Sequence, residues 1–311
     1  MNKKAVWLIV LLILAALVAV WFLVQAPEQR EVTGTETKIA ATIPPLHSIA
    51  SAIAGDTTEI ELVLPSGASP HTFEPTASDL ARLEGVNKVF AIGQGLDNWA
   101  AEIASSTGAE TVTVEQGIEL IPTAEEHELA EELEHDEEAD THEHEHHGEY
   151  NPHYWLSAEN AKQIARNIAA ELTALDPNNQ KTYERNLANY LSELDQLDSA
   201  IRSTLSDLRK RDLVTFHDAW PYFAQAYDLT VVATFEPVPG KEPTPQYLKE
   251  LQDTVTEYDI ATIFTEPQLS TQSLQSFLDD MNVEVAVLDP LGTNSYLEMM
   301  RFNAETIANN L

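Results

Sequence analysis

No cysteine occurs in the 311 residues, which excludes disulfides, thiolate zinc sites and any lipid-modified cysteine. Positive charge is also short: 17 Lys and Arg stand against 51 Asp and Glu, a net charge of −34. That balance argues against nucleic acid or an anionic lipid surface as a partner and suits a cation. Glycine and proline are missing from residues 178–210, so nothing there interrupts a helix. Between Glu125 and Glu149 there is no Lys or Arg, but there are thirteen Asp and Glu and six histidines: His127, His135, His142, His144, His146 and His147. Without those acids the rest of the chain still carries about −21, so the folded part is acidic as well.

The length suits two domains of about 120 to 150 residues, each able to bury a core. After Lys3 and Lys4, residues 5–24 run apolar and as a helix would span about 30 Å, a bilayer core. Positive residues ahead of the run predict a cytoplasmic N-terminus with the following domains outside. Val24-Gln25-Ala26 is a poor cleavage site and the run exceeds a signal-peptide core, which favours an uncleaved anchor over a removed signal. Residues 1–26 are accordingly read as signal or anchor and 27–37 as a polar tether.

From Lys38 onward, short β-branched runs alternate with helical patterns, the mark of βαβ units. Strands are predicted near 38–43, 59–64, 88–92 and 111–114, then near 212–216, 230–235, 259–265 and 283–288, with helical patterns such as 46–54 and 76–83 between them. The expected fold is α/β, with an N-terminal lobe at 38–177 and a C-terminal lobe at 211–311, each built on a four-stranded, mainly parallel sheet flanked by helices. Tyr183, Leu187, Tyr190, Leu194, Leu197, Ile201, Leu205 and Leu208 make one stripe at helical spacing. Residues 178–210 therefore form a long helix, either a strut along both lobes or a coiled-coil seam between copies. The histidine- and acid-rich tract at 123–149 cannot bury a core and is expected to be a disordered excursion from the first lobe.

Three of the four remaining histidines sit where a metal could be held. His71, in Pro65-Ser66-Gly67-Ala68-Ser69-Pro70-His71-Thr72-Phe73-Glu74-Pro75, follows a predicted strand, at the sheet edge where open α/β folds bind ligands. His153 lies in Asn151-Pro152-His153-Tyr154-Trp155-Leu156, and His217 ends the strand in Leu213-Val214-Thr215-Phe216-His217-Asp218-Ala219-Trp220. Asp289 follows the last predicted strand. Two such residues per lobe would converge at a cleft between the lobes, and three imidazoles with one carboxylate suit tetrahedral Zn²⁺ better than Mn²⁺. Glu266, in Phe264-Thr265-Glu266-Pro267, could support a ligand or replace an oxygen donor, and Glu74 could orient His71. Asp218 reads as a helix cap and His47 as a helix-start residue near the cleft.

At these residues the chain resembles the metal-binding subunit of zinc and manganese ABC importers, over roughly residues 38–311. Pro70-His71-Thr72-Phe73-Glu74-Pro75, Asn151-Pro152-His153-Tyr154-Trp155-Leu156, Phe216-His217-Asp218-Ala219 and Leu288-Asp289-Pro290-Leu291 carry the likeness, in family order. The resemblance implies two lobes joined by a rigid helix, a metal between them on His71, His153, His217 and Asp289, and an ABC permease as partner. Manganese members usually have Glu where His217 stands, so the resemblance favours the zinc-uptake proteins. Two departures stand out: many members are anchored by an N-terminal cysteine that this chain lacks, and Asn151 stands where Asp is commoner.

The expected function is capture of Zn²⁺ as cargo, outside the membrane, by a monomer that performs no chemistry. A manganese carrier of the same family is the near alternative. A zinc hydrolase would keep one coordination position for water, and an adhesin would hold a structural metal.

Overall fold

The structure, a computed structural model, describes residues 38–123, 148–236, 243–268, 274–293 and 295–311. The expected anchor and tether, nearly all of the histidine-rich tract and part of the loop after residue 236 lie outside the described residues. No described helix is long and apolar enough to cross a membrane.

In the first lobe, β1 (Ile39–Ala41), β2 (Ile60–Leu62), β3 (Lys88–Ala91) and β4 (Glu110–Thr113) form a parallel sheet in the order β2-β1-β3-β4. In the second, β5 (Asp212–His217), β6 (Thr230–Glu236), β7 (Thr262–Thr265) and β8 (Glu284–Val287) repeat that order as β6-β5-β7-β8, again all parallel. All eight strands fall where β-branched runs predicted them. The central ones are buried along their length, as in Lys88-Val89-Phe90-Ala91 and Thr262-Ile263-Phe264-Thr265, because helices cover both faces of a parallel sheet. The shared order makes the lobes topological repeats although their residues are not alike.

The crossover helices are α1 (Pro44–Ala54), α2 (Ala77–Arg82) and α3 (Trp99–Thr107) in the first lobe, and α6 (Pro221–Tyr227), α7 (Pro245–Glu257) and α8 (Leu274–Met281) in the second. Between them run α4 (Ala158–Leu175) and α5 (Gln180–Thr204), and α9 (Tyr296–Asn310) closes the chain. Ser157 caps α4 by accepting from the Asn160 N–H. Asp176 and Pro177 stop α4 and start a short 3-10 turn into α5.

The long helix is shorter than the stripe suggested. It spans 25 residues, about 37 Å, and ends at Leu205, where the chain turns toward β5. Arg211 ties this turn by donating to the carbonyls of Leu205, Tyr227 and Asp228, while Leu208, now off the helix, still packs on the core. Tyr183, Tyr190, Leu194, Leu197 and Ile201 are buried, and α5 lies against α1, α4 and α9 of its own chain. The stripe is therefore consumed internally.

One continuous core runs from Ile39, Phe90 and Trp155 through Leu194 to Trp220, Phe264 and Leu288, and so spans both lobes. Smaller cores under β5 to β7 and behind β1 and β3 belong to single lobes. A shared close-packed core resists rotation of one lobe against the other.

In doubly wound sheets the ligand crevice opens where strand order reverses, here between β1 and β3 and between β5 and β7. In the first lobe Asp97 fills that position, accepting from Thr42 Oγ1 at 2.6 Å and the N–H groups of Ile92 and Gly93 at 2.7 and 2.8 Å. The second lobe places His217 and Glu266 at its reversal.

Leu194→Ala should cost about 2 to 5 kcal/mol in chemical denaturation, because the side chain is fully buried in the shared core. A loss that varied with protein concentration would instead indicate a helix seam between copies.

Candidate metal centre

His71 is set by the loop after β2. Trp99 Nε1, from the first turn of α3, donates to the Pro70 carbonyl at 3.0 Å, and Phe73 packs edge-on against the Trp99 ring at 4.8 Å. The proline-rich stretch thus holds a half-buried imidazole at the carboxyl edge of the first sheet.

His153 is fixed from both lobes. Pro122 and Tyr150 form an antiparallel bridge, and the Asn151 N–H donates to the Ile121 carbonyl at 2.8 Å. The next residues enter a 3-10 turn, Tyr154–Leu156, whose side chains are wholly buried. Tyr154 donates its hydroxyl to the Ile92 carbonyl at 2.7 Å, and Trp155 Nε1 donates to the Pro290 carbonyl, also at 2.7 Å, across the lobe boundary. Tyr296 of α9 returns the link by donating to the Trp155 carbonyl at 2.7 Å.

His217 is the last residue of β5. Glu266 follows β7, the neighbouring strand, and its Oε1 lies 2.7 Å from His217 Nδ1, with both side chains buried. The contact falls outside hydrogen-bond alignment, but a carboxylate only accepts, so at this distance it favours a proton on Nδ1. Glu236 pairs with His217 in register on β6. Burial disfavours the imidazolium of His217, but Glu266, Asp218 and Glu236 outweigh it and hold the pKa above the ordinary imidazole value.

The three rings meet at their Nε2 atoms. His153 Nε2 stands 3.2 Å from His71 Nε2 and 3.2 Å from His217 Nε2, and one ligand atom from each ring lies within 4.8 Å of the others. Tetrahedral zinc with nitrogens at about 2.0 to 2.1 Å requires neighbouring nitrogens about 3.3 Å apart, so these separations match its edges. Lone pairs crowded at this distance repel one another unless a proton or a cation lies among them. A proton or a metal ion could occupy that space, so the two would compete for the same atoms.

Asp289 is not in this group of ligand atoms. Its Oδ1 accepts from Gln268 Nε2 at 2.8 Å and from the N–H groups of Leu291 and Gly292 at 3.0 Å. Asn303, fully buried on α9, clamps the Asp289 backbone by accepting from its N–H and donating to its carbonyl, both at 2.8 Å. Glu266 faces Nδ1 of His217, away from the Nε2 meeting point. Glu74 is exposed, and His47 Nε2 lies 2.9 Å from the Ile60 carbonyl within the first lobe.

Asp218 does not cap a helix as expected. The N-cap of α6 is Trp220, with no side-chain bond, and Asp218 instead accepts from Asn151 Nδ2 through its carbonyl at 2.7 Å and its Oδ2 at 3.0 Å. Sequence reasoning also missed Gln268, Asn303 and Tyr222. The signal available for Gln268 was its place two residues after Glu266, in the loop that leaves β7.

The cluster is reached from one side past Gln94, Thr123, Gly148 and Asn151, and from the other past Ser69, Trp155, Gln268 and Pro290. Two topologically repeated α/β lobes with a buried imidazole cluster at their seam define a bilobal protein with a single metal-type site among the described residues. Residues 39–310 match the family described as "Zinc-uptake complex component A periplasmic", and the chain belongs to that family. It is 31% identical over 283 residues to the "Zinc-binding lipoprotein AdcA" of Streptococcus pneumoniae (strain ATCC BAA-255 / R6), covering 90% of this chain and 54% of that protein. Against the "Manganese ABC transporter substrate-binding lipoprotein PsaA" of Streptococcus mitis it is 26% identical over 297 residues, 90% of each. A solved structure described as "Crystal structure of ZnuA" aligns with a TM-score of 0.75 and 31% identity over 88% of this chain and 98% of that one. The chain spans 54 to 61% of the length of the AdcA proteins it matches.

Replacing Glu266 by Gln should weaken Zn²⁺ binding at pH 8 by about tenfold, because a neutral partner makes His217 a poorer donor. The same change should lower the His217 pKa, so that acid loss of affinity begins at a lower pH than in the parent. Isothermal titration across pH 5.5 to 8 would show both effects, and an unaltered pH profile would count against the Glu266 contact.

Proposed function

We propose that this protein captures Zn²⁺ outside the cytoplasmic membrane and delivers it to an ABC permease, without transforming it. His71, His153 and His217 bind the ion through Nε2, and Asp289 supplies the fourth donor. Three converging imidazoles, with His153 Nε2 at a tetrahedral edge length from Nε2 of both His71 and His217 and one ligand atom from each ring within 4.8 Å of the others, are the observation that carries this reading. With Oδ1 of Asp289 already holding three donors, its second oxygen is the one offered to the metal, which requires a small approach of that side chain. Glu266 acts on the ring of His217 and does not bind the ion. The family's periplasmic description and the lipoprotein relatives support an extracytoplasmic site of action, with the N-terminal apolar run as export signal or anchor.

Manganese is the competing cargo, since one relative is described as a manganese protein. The donor set argues for zinc: Mn²⁺ prefers more oxygen ligands and higher coordination than three imidazoles and a carboxylate provide.

Thr123 and Gly148, which flank the histidine-rich tract, line the mouth of the cleft. The six histidines of the tract would gather ions weakly ahead of the tight site.

Competitive titration with Zn²⁺ and Mn²⁺ tests the reading. One tight, zinc-preferring site should survive deletion of residues 125–147 and should weaken at least a hundredfold in His217→Ala. Tight binding that persisted in His217→Ala, or vanished with the deletion, would move the site away from the three imidazoles.

A further inference from the structure

Asn151 contacts both sides of the metal cluster. Its side-chain oxygen accepts from the His153 backbone N–H at 3.0 Å and lies 3.1 Å from His153 Nδ1, while its side-chain nitrogen donates to the Asp218 carbonyl at 2.7 Å and to Asp218 Oδ2 at 3.0 Å. The residue is 3% exposed. A backbone N–H can only donate, so the atom it meets must be the amide oxygen. The nitrogen then faces two acceptors, and the orientation agrees at both ends. The same oxygen 3.1 Å from Nδ1 requires the proton there, which leaves the Nε2 lone pair of His153 directed at the cluster.

The two partners belong to different lobes. His153 precedes α4 in the first, and Asp218 adjoins His217 at the end of β5 in the second. The Asn151 backbone carbonyl also accepts from Tyr222 Oη at 2.9 Å, and that hydroxyl accepts from the Ile121 N–H at 2.9 Å, so α6 is tied to the same spot.

We propose that Asn151 is a positioning residue that couples the two lobes across the metal site, setting the His153 tautomer with its oxygen while its nitrogen holds Asp218 and, through it, the strand end that carries His217. The inference rests on the cluster being the metal site. In this chain the amide accepts at one end and donates at the other. Aspartate in this place would still accept from His153, but it would set a second carboxylate against Asp218 with no proton between them.

The test exchanges the pair. Asn151→Asp keeps the acceptor for His153 but abolishes both bonds to Asp218, and the double variant Asn151→Asp/Asp218→Asn restores a donor and an acceptor between the two side chains, with the parent's net charge, while the backbone carbonyl of residue 218 stays without its donor. Zinc release into excess chelator should be about tenfold faster in Asn151→Asp and recover in part, to about threefold, in the double variant. The metal-free unfolding midpoint should fall by about 4 °C or more and recover in the same way. In metal-free protein labelled with ¹⁵N at histidine, Asn151→Ala should erase the Nδ1–H preference of His153, which Asn151→Asp retains. Release and stability of Asn151→Asp equal to the parent, or no recovery in the double variant, would overturn the coupling. An unchanged tautomer in Asn151→Ala would overturn the positioning of His153. If the parent bound no metal, the release comparison would fail with the functional reading, whereas the tautomer and unfolding measurements would still decide the role of Asn151.

Discussion

Everything at this site depends on where three imidazole protons are kept. A histidine serves a metal through a bare nitrogen, and which nitrogen is bare is decided by what the other one touches. For His153 the amide oxygen of Asn151 sets Nδ1, and for His217 the carboxylate of Glu266 does so. Both leave Nε2 directed inward, 3.2 Å apart, a spacing at which a proton or a cation fits between two imidazole nitrogens. On the proposed reading the cation is drawn by these surroundings more than by net charge. The −34 net charge adds a general attraction for cations but does not locate one.

The fold supplies these partners through its repeated topology. Each sheet reverses strand order at one point, and the two lobes use that point differently. Asp97 closes the first with bonds to Thr42, Ile92 and Gly93, and the proposed ligands from that lobe, His71 and His153, come instead from the loop after β2 and the segment before α4. The second leaves its reversal to His217 and Glu266 on adjacent strand ends. A continuous core beneath the seam, with α5 buried along it, holds the two halves in one register.

Much of this could be read from the chain. Eight β-branched runs located eight strands, most clearly the central ones, because parallel strands buried on both faces have little else to be made of. His71, His153 and His217 were legible because strand ends and stiff proline-rich loops are where α/β folds hold ligands. Asp218 was misread: its capping role fits local sequence, but its actual partner, Asn151, is 67 residues away. Asn303 and Tyr222 were invisible for the same reason, since a buried amide on a C-terminal helix or a tyrosine in a core helix looks like ordinary packing until the lobes are assembled. The end of α5 was overestimated because Leu205 and Leu208 keep the helical spacing even as the chain turns.

Zinc-edge X-ray absorption on protein lacking residues 125–147 and loaded with one equivalent of Zn²⁺ addresses the central claim most directly. Three nitrogen donors with imidazole scattering at about 2.0 Å and one oxygen are expected. A first shell with one imidazole or none, filled by oxygen, would show that the three converging rings do not hold the ion.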